Sequence, residues 1–346
     1  MPADPRQRPT AAYNREQSSE TCSRKARTPS RPSHSALKNP RVRRFVDLSL
    51  QPITKGACPL THIAHLNGQS IAYDITGDGP PVLLLHGFPQ TRAMWHRIAL
   101  DLARDFTVVT ADLRGYGASS KPENISDMSF RPMAADQRDL MLSLGFDTFH
   151  LVGHDRGART AHRLALDAPE SLVSLTLMDI VPTHHLLDEL TQNVARTYYH
   201  WFFLAQPAPF PEKLIGHDPD AYYQSCLAGW GGKLEDFNTD ALNAYRRAWR
   251  DHNCIRAMCN DYRAALDIDF FLDASDLHSK VKTPSLVLFG KDGIMAKEYD
   301  VPATWANRLK NMQSKAMPGG HFFPDTHPEE TVAAVRAFLE RDAFHR

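Results

Sequence analysis

Short, continuously apolar runs recur along this chain at 82–85 (VLLL), 107–111 (TVVTA), 172–178 (LVSLTLM) and 285–289 (SLVLF), with a milder run at 150–153 (HLVG). A strand that is apolar at every residue, rather than every second one, must be covered on both faces. That is the condition of a parallel sheet between two helical layers. Helical spacing fills the intervals, over 93–103, 129–144 and 157–168, with a final helix at 329–339. A further strand is read at 71–75, closed by the turn Gly77–Pro81 (GDGPP), and a last strand-like segment at 314–317. The fold class is therefore α/β: a mostly parallel central sheet with helices on both faces. Between about 183 and 275 the rhythm stops. That stretch is helical in pattern and crowded with aromatics, among them Tyr198, Tyr199, Trp201, Tyr222, Trp230, Trp249 and Tyr262. A helical block inserted there is expected to form a cap over the carboxyl ends of the strands, where ligands of such sheets bind.

The division this implies is a basic tail over 1–50, a first core segment over 51–182, the cap over 183–275 and a second core segment over 276–346. The tail is rich in Pro, Ser and Arg and poor in large apolar groups, so disorder is expected, with a native start downstream of Met1 as an alternative. Lys plus Arg and Asp plus Glu both total 40. The balance hides an asymmetry, since residues 1–45 hold eleven basic side chains against three acids. No aromatic interleaving in that segment points to nucleic acid, and no run of about 18 apolar residues exists to span a membrane. The cysteines, Cys22, Cys58, Cys226, Cys254 and Cys259, are odd in number and form no C-x-x-C pair. Free thiols and the lack of a secretory profile point to a reducing, cytoplasmic setting. A mitochondrial leader is disfavoured by Asp4, Glu16, Glu20 and scattered prolines. The pair His184-His185 has no H-E-x-x-H or Cys/His partner, and no phosphate-cradling glycine motif occurs, so neither a metal nor a nucleotide cofactor is implied.

The sharpest local signal is Gly153-His154-Asp155-Arg156-Gly157, placed between an apolar run and a helical one. Small residues two before and two after a central side chain permit a sharp strand-to-helix turn that lifts it above the sheet, the nucleophile-elbow pattern, here with aspartate at the centre. An ordinary N-capping aspartate would look the same in isolation. Three companions favour the elbow. His86-Gly87-Phe88-Pro89 follows the run at 82–85, where backbone N–H groups of Phe88 and Arg156 would supply oxyanion donors. His321, in Gly319-Gly320-His321-Phe322, comes late in the chain, as a general base of this pattern does. Asp179 and Asp292 each follow an apolar run, and either could orient the imidazole. A carboxylate nucleophile needs no proton removed, so Asp155 can displace a leaving group from a saturated carbon and leave an ester for a His321-activated water. Arg156 and Arg159, three apart at the helix start, would project together beside Asp155 and grip a small carboxylate.

With those motifs in place, the chain resembles the α/β-hydrolase fold and, within it, the fluoroacetate (haloacetate) dehalogenases. The likeness is carried by HGFPQTRAMW (86–95), ADLRGYGASSKP (111–122), LVGHDRGARTAHRLALDAPE (151–170), YYHWFFLAQPAPFPEKLIG (198–216), CNDYRAALDIDF (259–270) and PGGHFF (318–323). It implies hydrolytic dehalogenation without a cofactor: fluoroacetate and water to glycolate and fluoride, by a homodimer. It also implies that Asp179 is the orienting acid, and that His200, Trp201 and Tyr262 form the halide pocket. Two rivals remain at this level. An epoxide hydrolase would use the same ester chemistry with two cap tyrosines, Tyr262 with Tyr198 or Tyr199, but would leave the arginines unexplained. A non-catalytic receptor would not need Asp155, His321 and an orienting acid together.

Overall fold

The computed structural model describes residues 61–343; the expectation for residues 1–50, and the start of the first core segment, lie outside them. An eight-stranded sheet runs in the order β1-β2-β4-β3-β5-β6-β7-β8. Its strands are β1 (His62–Leu66), β2 (Gln69–Thr76), β3 (Pro81–Leu85), β4 (Thr107–Ala111), β5 (Phe149–His154), β6 (Leu172–Met178), β7 (Ser285–Gly290) and β8 (Met312–Met317). β1 and β2 pair antiparallel, β2 joins β4 antiparallel, and every pairing from β4 through β8 is parallel.

The uniformly apolar runs are the central strands. Val82, Leu83, Leu84 and Leu85 are all fully buried, and each such side chain contributes roughly 1.5–3 kcal/mol relative to exposure. The strand at the β1 edge was not read from the run pattern, because HIAHL alternates in burial instead of being apolar throughout. Its signal is the Asn67-Gly68 turn, where both residues have positive φ (52° and 74°), the condition of a tight two-residue hairpin.

Core helices α1 (His96–Leu102), α2 (Phe130–Ser143) and α3 (Arg156–Asp167) follow β3, β4 and β5. The expected helix at 93–103 begins instead as a 3₁₀ turn, Arg92–Trp95, capped by the Thr91 hydroxyl. On α2, Met133, Ala134, Gln137, Leu140 and Met141 recur with helical spacing and form the buried face. Just past the C-cap Leu144, Gly145 has a φ of 89°, which lets Phe146 N–H turn back to Met141 O at 2.9 Å.

Between β6 and β7 the chain builds only helices: α4 (Thr183–Asp188), α5 (Gln192–Thr197), α6 (His200–Leu204), α7 (Phe210–His217), α8 (Pro219–Gly229), α9 (Thr239–Trp249), α10 (His252–Ala264) and α11 (Phe270–Ser275). Side chains of Asp218, Asn238 and Asp251 accept the first free amides of α8, α9 and α10. A π-helical turn, Ala265–Asp269, joins α10 to α11. After β7 come α12 (Ile294–Glu298) and α13 (Val301–Ala306), and β8 is followed by α14 (Phe323–Thr326) and α15 (Pro328–Ala343). Among the described residues no helix is long and apolar enough to cross a membrane. The His184-His185 pair is explained locally: His184 stacks on Phe270 at 4.8 Å, and His185 lies 3.2 Å from Glu189.

Candidate active site

β5 ends at His154 and α3 begins at Arg156, so Asp155 alone makes the turn, at φ 49° and ψ −114°. Such a conformation costs a non-glycine residue on the order of 1–3 kcal/mol and persists only where its surroundings enforce it. Here Asp155 N–H donates to Met178 O at 3.1 Å, and Asp155 O accepts from Arg159 N–H at 3.0 Å. A Cβ on Gly153 would stand 2.5 Å from Gly157 O, and one on Gly157 would press on Leu85 O still more closely. The two glycines are therefore needed for the close approach of α3 to the strands.

The loop after β3 delivers Phe88, whose backbone N–H donates to Asp155 Oδ1 at 2.8 Å. Arg156 supplies the first amide of α3, as the expected second donor would. Burial raises the Asp155 pKa, but His321, His154, Arg156 and the Phe88 amide outweigh it and hold the carboxyl down at about 2. Oδ1 is thus occupied, and Oδ2, 3.8 Å from His321 Nε2, is the oxygen left to react.

His321 sits on the loop between β8 and α14. Its Nδ1 is 2.7 Å from Asp179 Oδ2, and Asp179 Oδ1 accepts from Gly290 N–H at 2.8 Å. A carboxylate can only accept, so Nδ1 carries the proton and Nε2 presents its lone pair toward Asp155. Asp179 also has positive φ (52°), which turns its side chain from the end of β6 toward the histidine. Asp292, the alternative acid, is exposed and reaches the Gly319 carbonyl only through its backbone. The geometry places Asp179 at His321. Burial depresses the His321 pKa, but the Asp179 bond, its charge and that of Asp155 reverse the effect and leave it raised.

The cap closes over this pair. The His200 ring stacks on Phe88 at 5.6 Å and lies 5.2 Å from Tyr262 and 4.1 Å from Trp230. Trp201 packs on Tyr262 at 5.2 Å, with the guanidinium carbons of Arg156 and Arg159 at 5.1 and 4.9 Å from its ring. Burial keeps His200 well below the ordinary histidine pKa and Tyr262 well above the ordinary tyrosine value, so both are neutral. His200 Nδ1, Tyr262 Oη, Arg156 Nη1 and Arg159 Nε are buried with no hydrogen-bond partner among the described residues. Groups of this kind are costly in an interior unless something polar meets them.

The two arginines differ in a way their spacing does not reveal. Arg156 is fully buried and forks onto Asp261 of α10: Nε to Oδ2 at 2.9 Å, Nη2 to the Asp261 carbonyl at 3.0 Å, and Nη2 to Oδ1. Arg159 has only neutral acceptors, donating from Nη1 to Val181 O at 3.1 Å and Thr183 Oγ1 at 2.9 Å. Burial pulls its pKa down to about 10, partly offset by the Asp155 charge. Of the two cations, Arg156 already has a carboxylate partner and keeps only Nη1 without one among the described residues, whereas Arg159 bonds only neutral acceptors.

Asp261, Tyr116 and Tyr198 were given no place in this cluster by the sequence, apart from Tyr198 as an epoxide-activating candidate. Tyr116 Oη donates to Asp261 Oδ2 at 2.5 Å, and Tyr198 Oη lies 3.3 Å from His321 Nδ1. An acid directly before Tyr262 on the cap helix was the available signal for Asp261. Nothing in the sequence pattern tells Tyr198 from Tyr199. The fold does, by burying the first and leaving the second exposed.

The sheet order, the elbow and the inserted cap define a class, and comparison with known proteins agrees: the family model described as alpha/beta hydrolase fold matches residues 80–328. The chain belongs to the α/β-hydrolase family. It is similar to a fluoroacetate dehalogenase from Burkholderia sp, 52% identical over 278 residues, which cover 79% of this chain and 91% of that one. A soluble epoxide hydrolase from Corynebacterium sp. (strain C12) is 29% identical over 80% of this chain and 96% of its own length. Among solved structures, ALR0039 from Nostoc sp PCC 7120 superposes with a TM-score of 0.80 at 46% identity, covering 81% of this chain and 98% of that one.

Proposed function

We propose that this hydrolase dehalogenates small 2-halocarboxylates, with fluoroacetate, converted to glycolate and fluoride, as its substrate. The observation that carries the reading is Arg159, a buried cation beside Asp155 with no carboxylate bonded to it among the described residues. A substrate carboxylate supplies that counter-ion, with Arg156 Nη1 as the second donor, and so places the α-carbon over Asp155. The 52% identity to a protein named fluoroacetate dehalogenase supports the same substrate class.

Asp155 Oδ2 attacks the α-carbon, and the carbon–halogen electron pair leaves with the halide. Neutral donors on His200, Trp201 and Tyr262 receive the departing anion, which matters most for fluoride, a poor leaving group unless strongly hydrogen-bonded. The ester carbonyl retains Oδ1 at the Phe88 amide, joined by that of Arg156. His321 Nε2 removes a proton from water, which adds to Asp155 Cγ. Collapse of the oxyanion expels the alkoxide, which takes the proton from His321; the Asp155 carboxylic acid left behind, one oxygen now from water, releases its remaining proton to solvent and is again a carboxylate. Asp179 holds the imidazole tautomer and stabilises its protonated form.

The same reading takes residues 183–275 as the cap between core segments 51–182 and 276–346, and the enzyme as a cytoplasmic homodimer. An epoxide hydrolase is the second reading, favoured by the Corynebacterium relative and by the unpartnered Tyr262 hydroxyl. Against it, the Tyr198 hydroxyl sits at His321 Nδ1 and Tyr199 is exposed. Fluoride release from fluoroacetate, followed by ion-selective electrode with Asp155→Asn as the blank, tests the choice. Release confined to the unaltered enzyme is expected. A folded enzyme that releases no halide from fluoroacetate or chloroacetate but opens an epoxide would replace this reading with the second.

A further inference from the structure

The Arg156–Asp261 pair joins parts of the fold that are far apart in sequence. Arg156 begins α3 in the core, Asp261 lies on α10 of the cap, and Tyr116, which bonds the same carboxylate, is on the core loop after β4. Both Asp261 oxygens are used: Oδ2 accepts from Arg156 Nε at 2.9 Å and Tyr116 Oη at 2.5 Å, and Oδ1 accepts from Arg156 Nη2. Rings of Tyr262, Phe130 and Trp201 enclose the guanidinium carbon at 4.4, 4.5 and 5.1 Å. Of its nitrogens only Nη1 remains without a partner among the described residues. The guanidinium therefore has one orientation and one face to offer.

From this we infer that Asp261 is a positioning residue. Through Arg156 it fixes where the substrate carboxylate lies, and by residing on the cap it makes that position depend on the cap being closed. The next residue on α10 is Tyr262, which faces the other end of the same small substrate. One dipeptide thus sets the distance between the group that holds the carboxylate and a donor for the halogen. An α-halo acid carries these two groups on adjacent carbons, so the dipeptide holds the displaced carbon in line with Asp155 Oδ2. A fork held on two oxygens keeps its plane, whereas a single contact would let it rotate about the side-chain bonds.

The inference rests on the halocarboxylate reading, and the test separates the two. In Asp261→Asn, kcat for fluoroacetate is expected to fall on the order of ten- to a hundredfold, as misalignment by a fraction of an ångström does. KM and the inhibition constant of acetate, an unreactive carboxylate, should move by less than about threefold, because Arg156 and Arg159 still carry their charges. Tyr116→Phe should lower kcat less, again at constant KM, and the double variant should be no worse than Asp261→Asn alone, the signature of residues acting through one group. Wild-type kcat in Asp261→Asn would overturn the inference. So would acetate binding that weakens in proportion to kcat, or strictly additive losses. If Asp261→Asn does not melt cooperatively, Tyr116→Phe decides by the same split between kcat and KM. Arg159→Leu is the control on the underlying reading: lost acetate affinity upholds the carboxylate grip, and unchanged affinity removes both.

Discussion

At Asp155 the two carboxylate oxygens face different partners, and that difference assigns their work. Oδ1 is held at 2.8 Å by the Phe88 amide, while Oδ2 stands 3.8 Å from His321 Nε2. Replacing His321 by Ala should therefore leave displacement intact and remove ester hydrolysis. Mass spectrometry after incubation with fluoroacetate should find the protein heavier by the carboxymethyl group, and an unmodified mass would sink the two-step scheme. The acid limb of the pH profile follows from charge. His321 must be neutral to accept a proton, and in the resting enzyme its pKa lies above the ordinary value because of Asp179 and Asp155. Activity should rise with pH through that ionisation. Forming the ester removes the Asp155 charge, one of the groups that keep the imidazolium stable. Single-turnover ester hydrolysis should thus titrate at lower pH than His321 itself followed by NMR in the free enzyme, and a limb at equal or higher pH would contradict the arrangement.

Between α10 and α11 the π-helical turn carries Asp269, nearly fully buried, with Oδ1 accepting from Ser129 Oγ at 2.7 Å and Phe130 N–H at 3.0 Å. Oδ2 has no partner among the described residues, and burial raises this carboxyl to about 7 despite those bonds and the charge of Arg156. A carboxyl whose folded pKa exceeds its unfolded one binds its proton more tightly when folded. Its contribution to stability is complete below the unfolded pKa and is lost as pH rises through about 7. Asp269→Asn keeps the Oδ1 acceptor and imitates the protonated form. Its melting temperature should match the wild type below about pH 4 and exceed it by a margin that grows up to about pH 7 and then levels off. A margin that is flat with pH would show that the carboxyl is ionised throughout.

Across the whole molecule the cap and core are fastened at points that converge on the reacting groups. Trp249 Nε1 donates to Pro89 O at 2.6 Å, Tyr245 and Gln90 share Asp325 Oδ2 at 2.7 and 3.1 Å, and Trp230 O accepts from His321 N–H at 3.0 Å. These contacts tie cap helices to the loops bearing Phe88 and His321, so movement of the cap reaches both the oxyanion donor and the base. Every side chain assigned to the reaction lies between Phe88 and His321, and the family match begins at residue 80. Removal of residues 1–50 should accordingly leave kcat and KM for fluoroacetate within about twofold of the full chain. A larger loss would make the basic segment part of the working fold.

What the sequence determined by itself is what depends on local pattern. Continuous apolar runs demanded a sheet covered on both faces, and Gly153 and Gly157 around Asp155 demanded a turn that only small residues permit. The alternation of strands and helices, the elbow and the helical insertion followed, and the resemblance added the substrate. The β1 edge strand escaped because its period is two and its polarity mixed, although Asn67-Gly68 announced the hairpin. Long-range choices were decided only by tertiary structure. Asp179 and Asp292 both follow apolar runs, and the fold alone brings Asp179 to His321 while leaving Asp292 exposed. Arg156 and Arg159 are equivalent by spacing, yet one meets Asp261, 105 residues away in sequence, and the other meets only neutral acceptors. Periodicity records which face of an element is buried. It carries no information on which charged group lies across the interface, because that depends on packing between elements brought together from distant parts of the chain.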